Sequence, residues 1–440
     1  MDTYELIIAI SGIIIISFFF NIFAKKTNIP SVLMLIALGV VIQELAADNG
    51  KFDIEKFAKL STLEIVGNIG LVMIVLEAAL DLKLEKDKTK LIINSFFVAL
   101  IALIVSSAAI AFIIHFLVPG ADNFVSCLVY AVPLSIMSSA IIIPSVGGLT
   151  GAKKEFMVYE STFSDILGIM VFYFLIGSEH STGGLDIAID IGINIVVTII
   201  ASIILAYLMV FIFQRLTSQV KLFLVISLLM FVFALGKKMH LSSLLIILAF
   251  GLVLNNSKLF FKGRLSKYID EEKTKPIMHD FHILTLESAF VIRTFFFVIF
   301  GMFITIDSIF NLNVAMVSAA IIAILYTVRL LTLKLIVKQD IVPQLYIAPR
   351  GLITILLFFV IGAHPHFEIP QFDPGILLFV ILISSTVMTI ALIRFRGEKV
   401  SEVLLSQLPK RRIDKDGDGI DDKHEDIVED NVEQQDFNSF

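Results

Sequence analysis

Tyr159-Glu160-Ser161-Thr162-Phe163-Ser164-Asp165, running into Ile166-Leu167-Gly168-Ile169-Met170-Val171-Phe172, places two acids five residues apart at the head of an apolar stretch. The stretch is long enough to cross a bilayer. An ionised carboxylate near the bilayer centre costs about 2.5–3.5 kcal/mol, so such a group faces a partner or a water-filled path. Five positions turn a helix by about 500°, so the two carboxylates point to different faces and need separate explanations.

The surrounding chain fits a membrane reading. It has 440 residues, 57% of them hydrophobic, and a mean hydropathy of +0.93. A soluble domain cannot hide that much apolar surface. Cys127 is the single cysteine, which excludes disulfide scaffolds, CxxC redox motifs and cysteine-based metal sites. The net charge is −6, but residues 414–440 hold eleven acids and two lysines, so residues 1–413 are mildly basic. No basic groove with interleaved aromatics occurs, so nucleic-acid binding has no support.

Apolar segments lie near 4–24, 31–47, 62–82, 91–117, 124–146, 157–177, 187–213, 221–236, 242–256, 283–306, 313–337, 345–363 and 375–393. The expected fold is an all-α polytopic membrane protein of about thirteen transmembrane helices, the short ones tilted or broken. The first run follows Asp2 and Glu5 instead of a basic n-region and lacks a small-x-small cleavage site, so it reads as a retained helix. Basic residues such as Lys25, Lys26, Lys83, Lys88, Lys153, Lys154, Arg215, Lys258, Arg264 and Arg394 collect on one side. The positive-inside rule then puts the N-terminus outside and the C-terminus in the cytoplasm of a cell membrane. Residues 1–400 form the transmembrane part and residues 401–440 a cytoplasmic acidic tail.

Two spans are punctuated unlike the others. The fifth reads Pro133-Leu134-Ser135-Ile136-Met137-Ser138-Ser139-Ala140, then Pro144 and Gly147-Gly148, and the twelfth opens Ala348-Pro349-Arg350-Gly351. They occupy equivalent places in two halves of opposite orientation. Interrupted helices at matching places in inverted repeats mark the midplane site of a transporter, and their free carbonyls and helix ends can coordinate or offset a cation. The expectation is two crossed discontinuous helices.

Asp165 lies about eight residues into its span, roughly 12 Å along a helix, and no basic residue lies within four positions on its own helix. Desolvation favours the neutral form of a lone carboxyl, so a proton and a cation compete for it. Asp165 is therefore read as the ion- and proton-binding group. Arg293, about ten residues from the cytoplasmic end of its span, needs an acid, and Glu160 at similar depth is assigned to it as a structural ion pair. Glu77, Asp81, Arg329 and Lys334 are read as interfacial, their side chains snorkelling to water. His279-x-x-His282 and His364-x-His366 are placed in loops without a third ligand, so no metal is assigned to them. No GxSxG, HExxH, Walker or GxGxxG pattern occurs in the right context, so the chain is not read as an enzyme. Besides cation–proton exchange, a cation channel and a sodium-coupled organic solute transporter share this architecture.

These residues resemble the monovalent cation–proton antiporter superfamily of sodium–proton exchangers and potassium-efflux antiporters. Glu160-Ser161-x-x-Ser164-Asp165 is similar to the E-S-x-x-N-D motif of the exchangers, with Ser164 where Asn is usual. Met137-Ser138-Ser139-Ala140 stands where the exchangers have A-T-D-P and is closer to the Ser/Thr-rich potassium-efflux version. Arg293-x-Phe295-Phe296-Phe297, Pro349-Arg350-Gly351 and the run from Leu241 to Asn255 are similar to further helix motifs of the family. The resemblance implies that Asp165 binds the ion and the proton, with Ser161, Ser164, Ser138 and Ser139 or backbone beside them as further ligands. It also implies the Glu160–Arg293 pair, a homodimer and movement of a six-helix core. With Ser164 and Ser139 in place of side chains that could add ligands or charge, one site carboxylate remains, which points to one-for-one, electroneutral exchange. Sodium and potassium both fit.

The tail carries Asp414, Asp416, Asp418, Asp422 and Glu425 at positions 1, 3, 5, 9 and 12 of an EF-hand-like loop, with a glycine at position 6, a spacing suited to calcium. Its composition equally fits a disordered acidic segment. Truncation before Asp414 is expected to leave basal ion flux in sealed vesicles intact; loss of all flux would make the tail part of the transport machinery.

Overall fold

The computed structural model describes residues 3–27, 30–49, 61–149, 151–177, 196–197, 200–208, 210–211, 221–238, 243–261, 271–302, 311–338 and 341–407. The calcium-type loop at 414–425 lies outside the described residues, as does most of the segment expected at 187–213. The other twelve expected segments coincide with helices, and no strand occurs among the described residues. Seven helical stretches there are long and apolar enough to cross a membrane.

In chain order the helices are α1 (Thr3–Thr27), α2 (Ser31–Asn49), α3 (Ser61–Asp81), α4 (Thr89–Leu117), α5 (Phe124–Ser135), α6 (Ser139–Ser145) and α7 (Gly151–Gly177). Then follow α8 (Lys221–Lys238), α9 (Ser243–Asn255), α10 (Ser257–Phe260), α11 (Glu271–Met302), α12 (Leu312–Ile336), α13 (Leu352–Ile361) and α14 (Gly375–Gln407). Asparagine caps open two of them: Asn123 accepts from Val125 N at 2.9 Å and Asn311 from Asn313 N at 3.0 Å, which satisfies orphan donors of the first turn. The chain divides into two compact units, Met1–Leu392 and Ile393–Phe440, and the helix packing described below lies in the first.

Within that unit α4 packs on α5, α7 and α12, and α5 also meets α7 and α13. A second set joins α2 to α11, and α3 to both α9 and α11. Buried apolar side chains fill both sets, among them Phe172 on α7, Phe250 on α9, and Phe281 and Phe297 on α11. Ser17 on α1 and Thr294 on α11 share a hydroxyl–hydroxyl bond of 2.6 Å. The α2–α11 crossing is a backbone contact. A Cβ on Gly39 would lie 2.8 Å from the Gly301 Cα, and one on Gly301 2.9 Å from the Gly39 Cα. Small residues of this kind let membrane helices approach closely and gain dispersion energy where lipid supplies no hydrophobic drive.

Helix α11 begins at Glu271, twelve residues before the apolar segment that the sequence marks. His279 and His282 therefore lie in a helix, correcting the loop expected for them. Their polar neighbours Glu271 to Lys275 mask the helical pattern because they extend beyond the apolar core of the span. Gly301→Leu is expected to cost more than the roughly 1–3 kcal/mol of ordinary overpacking. It should lower the thermal unfolding midpoint of detergent-purified protein by several degrees, while Gly12→Ala, where a Cβ would meet nothing within 4 Å, should leave it unchanged.

Candidate functional site

The site begins where α5 stops. Residues 136–138 are extended, with Ile136 at φ −71°, ψ 131° and Ser138 at φ −84°, ψ 106°. The last carbonyls of α5 would be orphans in an apolar interior. Arg350 answers for two of them, donating from Nε to Leu134 O at 3.0 Å and from Nη2 to Ser135 O at 3.3 Å. Thr354 donates to Pro133 O at 2.8 Å, and the Arg350 Nη1 to Ala348 O at 2.6 Å. Arg350 belongs to the irregular backbone of residues 347–351 that precedes α13. The two interruptions touch directly, with Ser138 N donating to Pro349 O at 2.9 Å. Gly351 permits the approach: a Cβ there would lie 2.7 Å from Ile141 Cδ1 and 2.8 Å from Ser138 Oγ.

Helix α7 grips this break through consecutive side chains. Ser164 Oγ accepts from Met137 N at 2.9 Å, and Asp165 Oδ2 accepts from Ser139 N at 3.2 Å. Gly168, one turn beyond, leaves room for the Ile136 side chain. Asp165 is 2% exposed. Its Oδ1 and the nearby Ser138 Oγ are buried and make no hydrogen bond among the described residues. Asp165 borders a cavity of about 20 Å3 whose other walls are apolar: Val75 and Ala78 of α3, Leu244, Leu245 and Leu248 of α9, Ile353, and Ile166, Ile169 and Met170 of its own helix. That volume admits a water-sized occupant.

Ser164 faces elsewhere. It lines a second, smaller cavity of about 10 Å3 with Glu160, Ser135, Ser106, Met137, Arg329 and Arg350. Neighbouring residues of one helix are about 100° apart, so Ser164 and Asp165 look into different spaces. Ser161, buried and one turn before Asp165, donates its hydroxyl to Val158 O at 3.2 Å, which leaves its lone pairs available.

The ion pairs correct the sequence reading. Glu160 pairs with Arg329 of α12 and not with Arg293: Nη1–Oε1 is 2.7 Å and Nη2–Oε2 3.1 Å. The pair is buried, at 0% and 3% exposure. Arg329 also donates to Gln344 O from Nε at 3.0 Å and Nη2 at 2.7 Å, so it is no interfacial residue. The turn at residues 342–346 brings the Gln344 carbonyl against the Arg329 guanidinium, so the side chain is bonded within the protein and does not snorkel. Lys334, one turn further, is exposed. Arg293 instead bonds both carboxylate oxygens of Glu77 on α3, at 2.8 and 2.7 Å. Asp81, one turn on, meets His282 Nε2 at 2.9 Å. Glu77 and Asp81 thus face α11 through pairs that the sequence reading missed; the acids are four residues apart on α3 and their partners eleven apart on α11, so no matched spacing announced them.

Arg329→Ala leaves Glu160 buried and unpaired, a change worth about 3–5 kcal/mol. A double-mutant cycle on thermal unfolding should show strong coupling of Glu160→Gln with Arg329→Gln, and none beyond about 0.5 kcal/mol with Arg293→Gln. The reverse order would restore the Glu160–Arg293 assignment.

A search of curated proteins finds no match. Among solved structures, that of the sodium proton antiporter MjNhaP1 from Methanocaldococcus jannaschii at pH 8 is similar at a TM-score of 0.66 and 18% identity, covering 92% of this chain and 99% of that one. An electron-microscopy map of the same antiporter is similar at a TM-score of 0.61 and 17% identity, covering 94% of this chain and 100% of that one. At such identities the likeness shows the fold. The family described as sodium/hydrogen exchanger, transmembrane, matches residues 13–395, a range that takes in the broken helix, the irregular segment before α13, Asp165 and every ion pair above. The chain is a multi-pass membrane protein belonging to the sodium/hydrogen exchanger family.

Proposed function

We propose that the chain exchanges a monovalent cation, Na+ or K+, for H+ at Asp165. The observation that carries the reading is a carboxyl buried beside a broken helix with one oxygen held by Ser139 N and the other free. The held oxygen fixes the group's orientation; the free one can take a proton or a cation, but not both. Ser138 Oγ, the lone pairs of Ser161 and the backbone around Ser138 would complete a cation's shell with neutral oxygens, which suits weakly hydrated monovalent ions. Ser164 serves by holding Met137 N, and the Glu160–Arg329 pair by fastening α7 to α12. Among the described residues Glu160, Glu77 and Asp81 are each occupied by a base, so one carboxylate handles one cation or one proton, and the exchange is electroneutral.

The same reading places the protein in a cell membrane as a homodimer, with the N-terminus outside and the C-terminus in the cytoplasm, as the distribution of lysine and arginine supports. Asp414, Asp416, Asp418, Asp422 and Glu425 of the tail are assigned a calcium ion apart from the exchange site.

In acid-loaded proteoliposomes carrying a pH dye, addition of Na+ or K+ is expected to dequench the dye for the wild type and not for Asp165→Asn. The cation that gives the response names the substrate. A response that persists in Asp165→Asn would remove Asp165 from the site. Cation flux without proton movement would mean a channel, and flux requiring an organic solute would mean a coupled transporter. Dependence of the exchange rate on an imposed voltage would overturn electroneutrality.

A further inference from the structure

The two directions along α7 from Asp165 are built differently. Toward the C-terminus, Ile166, Ile169 and Met170 line the cavity that Asp165 borders. Toward the N-terminus, the helix is fastened. Tyr159 donates its hydroxyl to Lys83 O at 2.6 Å. Its ring stacks on Phe163 at 6.5 Å between centroids, and Phe163 meets Phe96 of α4 edge-on at 5.4 Å. Lys83 belongs to the short link between α3 and α4, residues 82–85, which has no regular structure.

The opposite flank of that link is fastened too. Asn256, buried between α9 and α10, donates to Leu82 O at 2.8 Å and accepts from Leu84 N at 2.6 Å, and Asn255 adds a bond of 3.1 Å to Leu82 O. Three residues of irregular backbone are thus bonded by side chains from both sides. One side is α7, which carries Asp165; the other is α9, which packs on α3. The link sits close to the site, since Leu82 is one turn beyond Ala78, a wall of the cavity, and Tyr159 precedes Asp165 by about 9 Å along the helix.

An exchanger must expose its site to one side of the membrane at a time, through movement of one helix set against another. We infer that Tyr159 and Asn256 are positioning residues that hold the 82–85 link as a clasp across the approach to Asp165 from the N-terminal end of α7, the end assigned to the cytoplasm. This rests on the exchange reading above. Asn256 makes two bonds to the link, reinforced by Asn255, whereas α7 makes one through Tyr159. When α7 parts from α3 and α9, the Tyr159–Lys83 bond is the one that breaks, and the link stays with α9. Lys88, at the start of α4, reaches both Glu155 of α7 and Glu85 of the link, each at 2.8 Å; both pairs lie at a partly exposed edge, where such contacts are worth little, so the Tyr159 bond is the main direct tie between α7 and the link.

The test uses the full chain with Cys127→Ser and Ala78→Cys in sealed proteoliposomes, and a charged methanethiosulfonate added to one side or the other. Tyr159→Phe is expected to speed modification from the α7 N-terminal side about fivefold to tenfold, the weight of one neutral hydrogen bond, without a matching gain from the other side. Asn256→Ala should act in the same direction, and both should raise amide exchange of residues 82–90. Rates within twofold of the parent in either variant that retains parental thermal stability would overturn the clasp. Should one variant lose stability, the other decides. Labelling does not depend on transport, so a wild-type chain inert to every cation would defeat the exchange reading while leaving the accessibility result legible.

Discussion

Everything near Asp165 depends on the way Arg350 disposes of carbonyl groups. A helix cannot stop inside an apolar medium unless its last acceptors find donors, because each one left bare costs about 1–3 kcal/mol or more. Arg350 brings a rigid fork of donors that reaches Leu134, Ser135 and Ala348 together, and Thr354 takes Pro133. The positive charge lies at the C-terminal, negative end of α5, where the helix dipole favours it. Charge-assisted bonds of this kind are about twice as strong as neutral ones, which offsets the burial of a guanidinium that bonds no acid among the described residues. The consequence is a stable gap at 136–138, and that gap is what presents Ser139 N to Asp165 and Met137 N to Ser164.

The charged groups divide cleanly between architecture and chemistry. Glu160 with Arg329 joins α7 to α12; Glu77 with Arg293 and Asp81 with His282 join α3 to α11. Each acid in these pairs has a base from another helix. Asp165 is held on one oxygen by Ser139, pairs with no base among the described residues, and keeps its other oxygen free. A carboxyl that helps hold two helices together cannot exchange its partner without loosening them, whereas one that contributes no such contact can change occupants freely.

What the sequence made legible follows from the range of the interactions concerned. The interruption at 136–138 is announced locally by Pro133, Ser138 and Ser139, and the second by Pro349, Arg350 and Gly351. Asp165 stands out because its whole local environment is apolar. The partners of Glu160 and Arg293 were not legible, because they are chosen across 169 and 216 residues by tilts and rotations that one helix does not encode. Depth misled for Arg329, where the bonded turn at 342–346 comes from the next segment of chain. Ser164 differs for another reason: adjacency in a motif suggested a shared ligand set, while the helical turn of about 100° sets its side chain in the other cavity.

The Gly39–Gly301 crossing bears on how such a molecule can deform. Two side-chain surfaces in contact can slide by swapping rotamers, each step small and reversible. Two backbones in contact have no rotamers to swap, so sliding one past the other meets hard-core repulsion and parting them forfeits the whole contact. Helices α2 and α11 therefore behave mechanically as one stiff beam. Any compliance within the first unit has to reside in its other seams, where hydroxyls, amides and methyl groups meet and can be exchanged for new neighbours.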